Sequence, residues 1–312
     1  MIQLRNLVVT GATGKQGSAL ISALLSKPPP LFNIYAVTRN TSSPSAQKLA
    51  KQPNVKVIQG DFDDAQAIFR QIDAPWGLFA MTNQMVGEER EEQQGKALIN
   101  AAVGAGVSHI VFSATDRGGD GKSDHEPTYV PHFRSKYHIE REILTRAEEN
   151  KGKLTWTFLR PVAFLENIAP GIFGKGFMAM WRLNGNERPL QLISTADIGL
   201  IAADAFLNAG SDEYLNKAIS LAGVEISPKD ATQIFKKVTG EAIPSTWNVA
   251  GRLLKSLKAD LRLMFNWFLT DDFGADVQAV RKRYPFMRDF QGWLEQESAW
   301  QKQQHPMCTC AL

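Results

Sequence analysis

The chain has 312 residues, of which 44% are apolar and 21% charged, and its 35 basic and 32 acidic side chains leave a net charge of +3. That make-up excludes a disordered or fibrous protein and allows one large or two modest globular domains with a substantial core. The charge is too slight to argue for direct nucleic-acid binding, and no run approaches the roughly eighteen apolar residues that a membrane helix needs.

An apolar, β-prone run from Leu4 to Thr10 leads directly into Gly11-Ala12-Thr13-Gly14-Lys15-Gln16-Gly17 and a helical pattern from Ser18 to Leu25. A strand feeding a helix through three glycines three residues apart gives a tight turn and lets a ligand approach the backbone. The unpaired N–H groups of the helix start carry about half a positive charge, so the expected guest is a phosphate. Gly11, Thr13, Gly14, Lys15, Gln16 and Gly17 are therefore candidates for cofactor binding. The form Thr-Gly-Ala-Thr-Gly-x-x-Gly resembles the loop of the short-chain dehydrogenase/reductase superfamily, chiefly its extended and atypical branches; the plain alternative is a turn that binds nothing.

Lys27 to Pro30 stops the helical pattern, and Asn33 to Thr38 is a second strand followed at once by Arg39. In a doubly wound sheet the residue past the second strand faces the adenosine ribose, where a base accommodates a 2′-phosphate, so Arg39 points to NADP(H). The alternative is a surface arginine beside a polar loop. Ser42 to Lys51 reads as a helix and Val55 to Ile58 as a third strand ending at Asp61, where many members of the superfamily place an acid beside the adenine amine. Asp61 could equally be a turn residue or help to cap a helix from Asp64 to Gln71. Trp76 to Met81 makes a fourth strand with the nearly continuous apolar character of parallel strands, and Thr82-Asn83 at its carboxyl end are cofactor candidates.

Glu88 to Ala105 reads as a long helix with an apolar stripe of Leu98, Ala101, Ala102 and Ala105, and His109 to Ala114 as a fifth strand. The Gly-, Asp- and Pro-containing stretch Arg117 to Pro131 reads as a mobile loop over the site. A helix from about His132 to Glu149 follows, with Phe133, Tyr137, Leu144 and Ala147 expected among its buried positions. On it His132 and Lys136 stand four apart and project from one face. The superfamily resembled carries Tyr-x-x-x-Lys here, with lysine lowering the tyrosine pKa and holding the ribose; this chain has His132-Phe133-Arg134-Ser135-Lys136. Three readings stay open: His132 donates a proton, Lys136 acts alone as in isoflavone-reductase-like relatives, or Lys136 merely pairs with Glu140 while His132 sits at the helix start.

Leu154 to Leu159 is a sixth strand leading into Arg160-Pro161-Val162-Ala163-Phe164-Leu165-Glu166-Asn167, and Thr195-Ala196-Asp197-Ile198-Gly199 comes later. With the glycine loop, Arg39 and the lysine helix, these motifs resemble the NmrA-like family of atypical short-chain dehydrogenase/reductases over about residues 5–240. The resemblance implies that the loop after the sixth strand, with Pro161 and Phe164, covers the nicotinamide end; Asn167 could instead be structural. Ile198, Ile201, Ala202, Ala205 and Phe206 form a helical core stripe, Lys217 to Leu221 a late strand, and Ser227-Pro228 a helix start running to about Gly240. Helical patterns at 246–268, 272–282 and 289–301 follow.

The expected architecture is α/β: a Rossmann-type doubly wound parallel sheet in residues 1–160, to which 195–222 return, with a smaller, mostly helical substrate or partner lobe from 161–194 and 223–312. In that lobe Trp247, Phe265, Trp267, Phe268, Phe273 and Trp293 suit a core or pocket, and Arg252, Lys255, Lys258 and Arg262, with Arg281-Lys282-Arg283, suit a solvated face or a partner surface. Cys308 and Cys310, the only cysteines, give no disulfide framework and fit a reducing compartment. With His305 they fall one short of a structural zinc set, and Thr309 stands where a prenylation box needs its cysteine, so neither metal nor lipid is expected. The location expected is cytoplasmic, or nuclear if a partner carries the protein there.

Two functions remain. One is an NADPH-dependent reductase of a small, rather apolar carbonyl, imine or conjugated substrate, using Lys136 and His132; the other, drawn from the resemblance, is a regulator that senses NADP(H) and acts through protein partners. A monomer or homodimer is expected in either case.

Overall fold

The computed structural model describes residues 4–246 and 259–301. It divides into two compact units, Met1–Pro161 with Thr195–Leu221, and Val162–Ser194 with Ala222–Leu312.

The first unit is an α/β doubly wound domain. Its seven strands are β1 (Arg5–Val9), β2 (Phe32–Thr38), β3 (Val55–Gln59), β4 (Pro75–Ala80), β5 (His109–Ser113), β6 (Thr155–Pro161) and, late in the chain, Lys217–Leu221. They lie in the order β3-β2-β1-β4-β5-β6 with the late strand at the far edge, and every pairing is parallel. The order reverses between β1 and β4, which opens a crevice at the carboxyl ends of those strands. Buried apolar runs such as Leu7-Val8-Val9 and Ile110-Val111-Phe112, all with no exposed surface, explain why such strands read as continuous hydrophobic segments.

The helices of this unit are α1 (Lys15–Leu25), α2 (Pro44–Ala50), α3 (Ala65–Phe69), α4 (Glu88–Gly104), α5 (Asp120–Ser123) and α6 (Pro131–Glu149), with Thr195–Leu207 returning to it. Local chemistry sets their ends. Ser43 caps α2 through Ala46 N with Pro44 in the first turn, and Asp64 caps α3, so both helices are shorter than their sequence patterns. Asp61 instead caps the 3₁₀ turn Phe62–Asp64. The Thr195–Leu207 helix lies so close to α1 that a Cβ at Gly199 would stand 2.8 Å from Gln16 O, which is why only glycine fits there.

Three expectations change. On α6, Phe133 is buried as expected, but Tyr137, Leu144 and Ala147 are only half-buried; Ile139 and Ile143 take the core positions, because the helix turns its Ser135-Ile139-Ile143 face inward. The Arg117 to Pro131 stretch is no loose loop: Arg117 and Ser123 are fully buried, and Arg117 donates to Glu140, Ser123 O, Thr115 O and Glu126 O. Lys136 does not pair with Glu140, which is held by Arg117 and Arg160 instead.

The second unit contains β7 (Ala163–Phe164), α7 (Ile172–Leu183), β8 (Leu190–Ile193), Val224–Ile226, and helices Pro228–Thr239, Ala259–Thr270, Val277–Arg283 and Phe290–Gln296. Its small sheet pairs β8 with β7 in parallel and with Val224–Ile226 antiparallel. Phe265, Trp267, Phe268 and Trp293 are buried in its core, with half-buried Phe273 against Trp267 and Phe268. Ser227 caps its helix and Gly240 closes it in the left-handed conformation, as the sequence suggests. Trp247, the basic positions Arg252, Lys255 and Lys258, and the Cys308/Cys310 tail lie outside the described residues. Among the described residues no helix is long and apolar enough to cross a membrane, and no cluster of potential metal ligands occurs.

Candidate cofactor cavity and the lysine behind it

The cavity begins where β1 ends. Thr10 ties that end to β4, its hydroxyl donating to Phe79 O at 2.9 Å and accepting from Met81 N at 2.9 Å. Gly11 then turns at φ +59°, and Gly14 N bonds back to Gly11 O at 2.9 Å. A Cβ at Gly17 would lie 2.4 Å from Gly11 O and 2.8 Å from Ala12 Cα, both backbone atoms, so the tight turn requires glycine there. Gly14 is the N-cap of α1 and offers no side-chain cap. By helix geometry the amides of Lys15, Gln16 and Gly17 have no intrahelical acceptor, and they present an anion-seeking surface. The Gln16 side chain is spent elsewhere, accepting from Ser113 Oγ at 2.7 Å.

Beside this loop lies a cavity of about 780 Å³, within the range of small-molecule sites. Gly11, Thr13, Gly14, Arg39, Asp61, Thr82 and Asn83 all reach its wall. Lys15, Gln16 and Gly17 do not line it; their contribution is the helix start. Arg39 is exposed at the rim, and its guanidinium has neither hydrogen bond nor ion pair among the described residues. A cradle that a Cβ would fill, a helix start with no cap and an unpaired guanidinium fit a dinucleotide with an extra phosphate. At the other end Asp63 accepts from Arg90 at 2.6 Å and from Gln94 at 2.7 Å, fixing two further wall residues.

Lys136 stands behind that wall. Its Nζ donates to Thr82 Oγ1 at 3.0 Å and to Glu91 Oε1 at 2.8 Å. Thr82 Oγ1 in turn donates to Glu91 Oε1 at 2.6 Å, and Ser135 Oγ to Glu91 Oε2 at 2.6 Å. Glu91 has no exposed surface. Burial alone would push its carboxyl up, but the Lys136 charge and hydrogen bonds from Lys136, Ser135 and Thr82 outweigh that and hold it below the usual carboxylate range. His132 is buried one turn before Lys136, its ring edge-on to Phe133. Pro161 closes β6, accepting from Asp116 N at 3.0 Å, and half-buried Phe164 belongs to the second unit.

Sequence reasoning missed Glu91, reading Glu88 to Ala105 only for its apolar stripe. A signal existed: Glu91, Gly95, Leu98 and Ala102 recur at the spacing of the buried stripe, so a carboxylate there had to find a cation. It also missed the guanidiniums of Arg117 and Arg160, which converge on Glu140 at 2.6 and 2.9 Å.

A model of the NmrA-like family matches residues 4–294 of the chain. The NmrA-like family domain-containing oxidoreductase malD of Malbranchea aurantiaca is 26% identical over 315 residues, covering 89% of this chain and 90% of that protein. Among solved structures, NmrA, a negative transcriptional regulator, superposes with a TM-score of 0.73 at 17% identity, covering 96% of this chain and 98% of its own. The NADPH-dependent quinone oxidoreductase of Escherichia coli, solved with NADPH, gives a TM-score of 0.69 at 21% identity over 91% of this chain and 97% of its own. At these identities the structural likenesses establish a shared fold.

Proposed function

This chain belongs to the NmrA-like family, and on that premise we propose that it binds NADP(H) and is an NADPH-dependent reductase of a small, rather apolar carbonyl, imine or conjugated substrate. The unpaired Arg39 guanidinium on the wall of the glycine-turn cavity carries the cofactor half of this reading. The start of α1 holds the pyrophosphate, Arg39 takes the 2′-phosphate, and Asp61 and Asn83 border the nucleoside. When bound, the nicotinamide supplies the hydride. Lys136 holds a sugar or substrate oxygen beside Thr82, and His132 delivers the proton. The relative named as an oxidoreductase and the quinone oxidoreductase solved with NADPH support this choice.

The measurement is a fluorescence titration with NADPH and NADH. NADPH is expected to bind more tightly, and Arg39→Ala to remove roughly 1.5–3 kcal/mol of that preference. Equal affinities, or a preference untouched by the substitution, would discard the Arg39 role. A panel of aldehydes, quinones and imines that oxidises no more NADPH than a Lys136→Ala control would discard the reductase. The alternative, an NADP(H)-sensing regulator acting through a protein partner, is favoured by one observation: Lys136 already spends its charge on Glu91. NmrA itself is described as a negative transcriptional regulator.

A further inference from the structure

His132 is where this chain departs from the tyrosine–lysine arrangement it resembles, and Glu91 is the carboxylate set against the lysine. A tyrosine hydroxyl ordinarily titrates near pH 10, so a tyrosine acid needs an uncompensated cation beside it to work near neutrality; a histidine, with an ordinary value near 6.5, donates as a cation without that help. In this protein the cation is compensated. Lys136 Nζ and Glu91 Oε1 are 2.8 Å apart, and the carboxylate has no exposed surface. Among the other acids of helices α4 and α6, Glu89 is exposed and three are paired elsewhere. Glu88 is taken by Arg134 at 2.8 Å, Glu92 by Lys96 and His138 at 2.6 Å each, and Glu140 by Arg117 and Arg160. Glu91 also holds three donors at once, those of Lys136, Thr82 and Ser135, and Ser135 Oγ lies 3.2 Å from His132 O. The clamp thus joins the cavity wall at Thr82 to helix α6 at Ser135 and Lys136.

We propose that Glu91 suits this site to histidine rather than tyrosine: it holds the Lys136 ammonium against Thr82 and cancels the charge that a tyrosine at position 132 would require. Glu91 is a positioning residue, acting through Lys136. The histidine half of the proposal rests on the reductase reading; the clamp half does not.

The clamp is tested without substrate by pulsed reductive methylation with formaldehyde and cyanoborohydride, following Lys136 by mass spectrometry. A buried ammonium stripped of its counter-charge gives up its proton more readily, so Glu91→Gln is expected to raise the rate at Lys136 about tenfold. Glu89→Gln, which removes an exposed carboxylate from the same helix and leaves Glu91 in place, is expected to leave that rate near wild type. An unchanged rate in Glu91→Gln overturns the clamp. Should Glu91→Gln prove too unstable, melting temperatures ask the same question: Glu91→Gln with Lys136→Met is expected to recover what Glu91→Gln loses, and no recovery overturns the coupling.

The histidine half is tested by turnover. His132→Tyr alone is expected to lose about 100-fold, and adding Glu91→Gln to it to regain about tenfold in kcat with little change in KM for NADPH. A double variant no better than His132→Tyr overturns it. Wild-type protein that binds NADPH but reduces nothing in the panel overturns the reductase reading and the histidine half together, while the methylation rates still decide the clamp.

Discussion

Helix α6 carries two buried, oppositely charged side chains one turn apart, Lys136 and Glu140, and the fold uses them in different ways. Their spacing is that of a helical ion pair, yet each finds its partner elsewhere. Lys136 turns to Glu91 on α4 and to Thr82, a residue on the wall of an open cavity. Glu140 turns to Arg117 and Arg160, and the three close the stretch after β5 onto the end of β6. Burial works against the Arg160 charge, but the Glu140 and Asp124 carboxylates outweigh it and hold the guanidinium charged. One cluster reaches the cavity wall through the Thr82 hydroxyl; Arg117, Glu140 and Arg160 form a latch and do not line that cavity. Equal burial of charge therefore does not mean equal function: the neighbours that reach open space decide.

The largest expected effect separates the two clusters directly. Glu140→Gln leaves two buried guanidiniums facing a neutral amide, and unfolding by urea is expected to show a loss of about 3–5 kcal/mol. Below its melting transition the same variant is expected to bind NADPH within about threefold of wild type, because the cavity wall lies outside the latch. If its NADPH affinity instead falls as far as that of Arg39→Ala, the latch and the cavity are one system and the contrast fails.

A third buried group sharpens the comparison by having no counter-charge. His109 is 1% exposed at the start of β5, with Nδ1 2.9 Å from Thr155 Oγ1 and its ring stacked on Trp76. Burial, helped by the nearby Arg5 charge, pushes its pKa down from 6.5 to about 4. A depressed histidine contributes stability that is fully present above the unfolded value and is lost as pH falls toward the folded one. The protein is therefore expected to lose roughly 3 kcal/mol between about pH 6.5 and 4, and His109→Gln to flatten that limb in pH-dependent urea melts. A slope unchanged in the variant would assign the acid sensitivity to other groups and require the Glu91 and Glu140 clusters to be compared again at neutral pH only.

What was legible in the sequence follows from range. The strands were, because parallel strands buried on both faces are continuous apolar runs, and the glycine turn was, because its steric demand is local. The Thr195-Ala196-Asp197-Ile198-Gly199 motif and Arg160 were visible as family marks but not as physics: Gly199 exists for contact with α1, and Arg160 for Glu140. The partners of Lys136 and Arg117 were hidden for the same reason. Glu91 lies 45 positions from Lys136 and Glu140 lies 23 from Arg117, and no local pattern joins them. Composition misled most at Arg117 to Pro131, where glycine, aspartate and proline describe a tight, anchored turn as well as a mobile one: Asp116 accepts from Gly118 and Gly119, and Asp120 Oδ1 from Ser220 N.

The smallest expected effect tests where the latch ends. Arg160 bonds Asp124 Oδ1 at 2.8 Å, but the Asp124 side chain is 51% exposed while those of Arg160 and Glu140 are each 2% exposed. Two guanidiniums share one buried carboxylate, so by charge count Asp124 completes the set; by solvation, water can take its place. If solvation decides, Asp124→Asn costs about 0–1 kcal/mol in the urea melt, as for other half-exposed ion pairs, and its loss is masked further by salt. A cost approaching that of Glu140→Gln would make charge count decisive and extend the latch to the surface, where acid or salt could open it. The Lys136 cluster has no such exposed carboxylate, because Glu91 balances it from within.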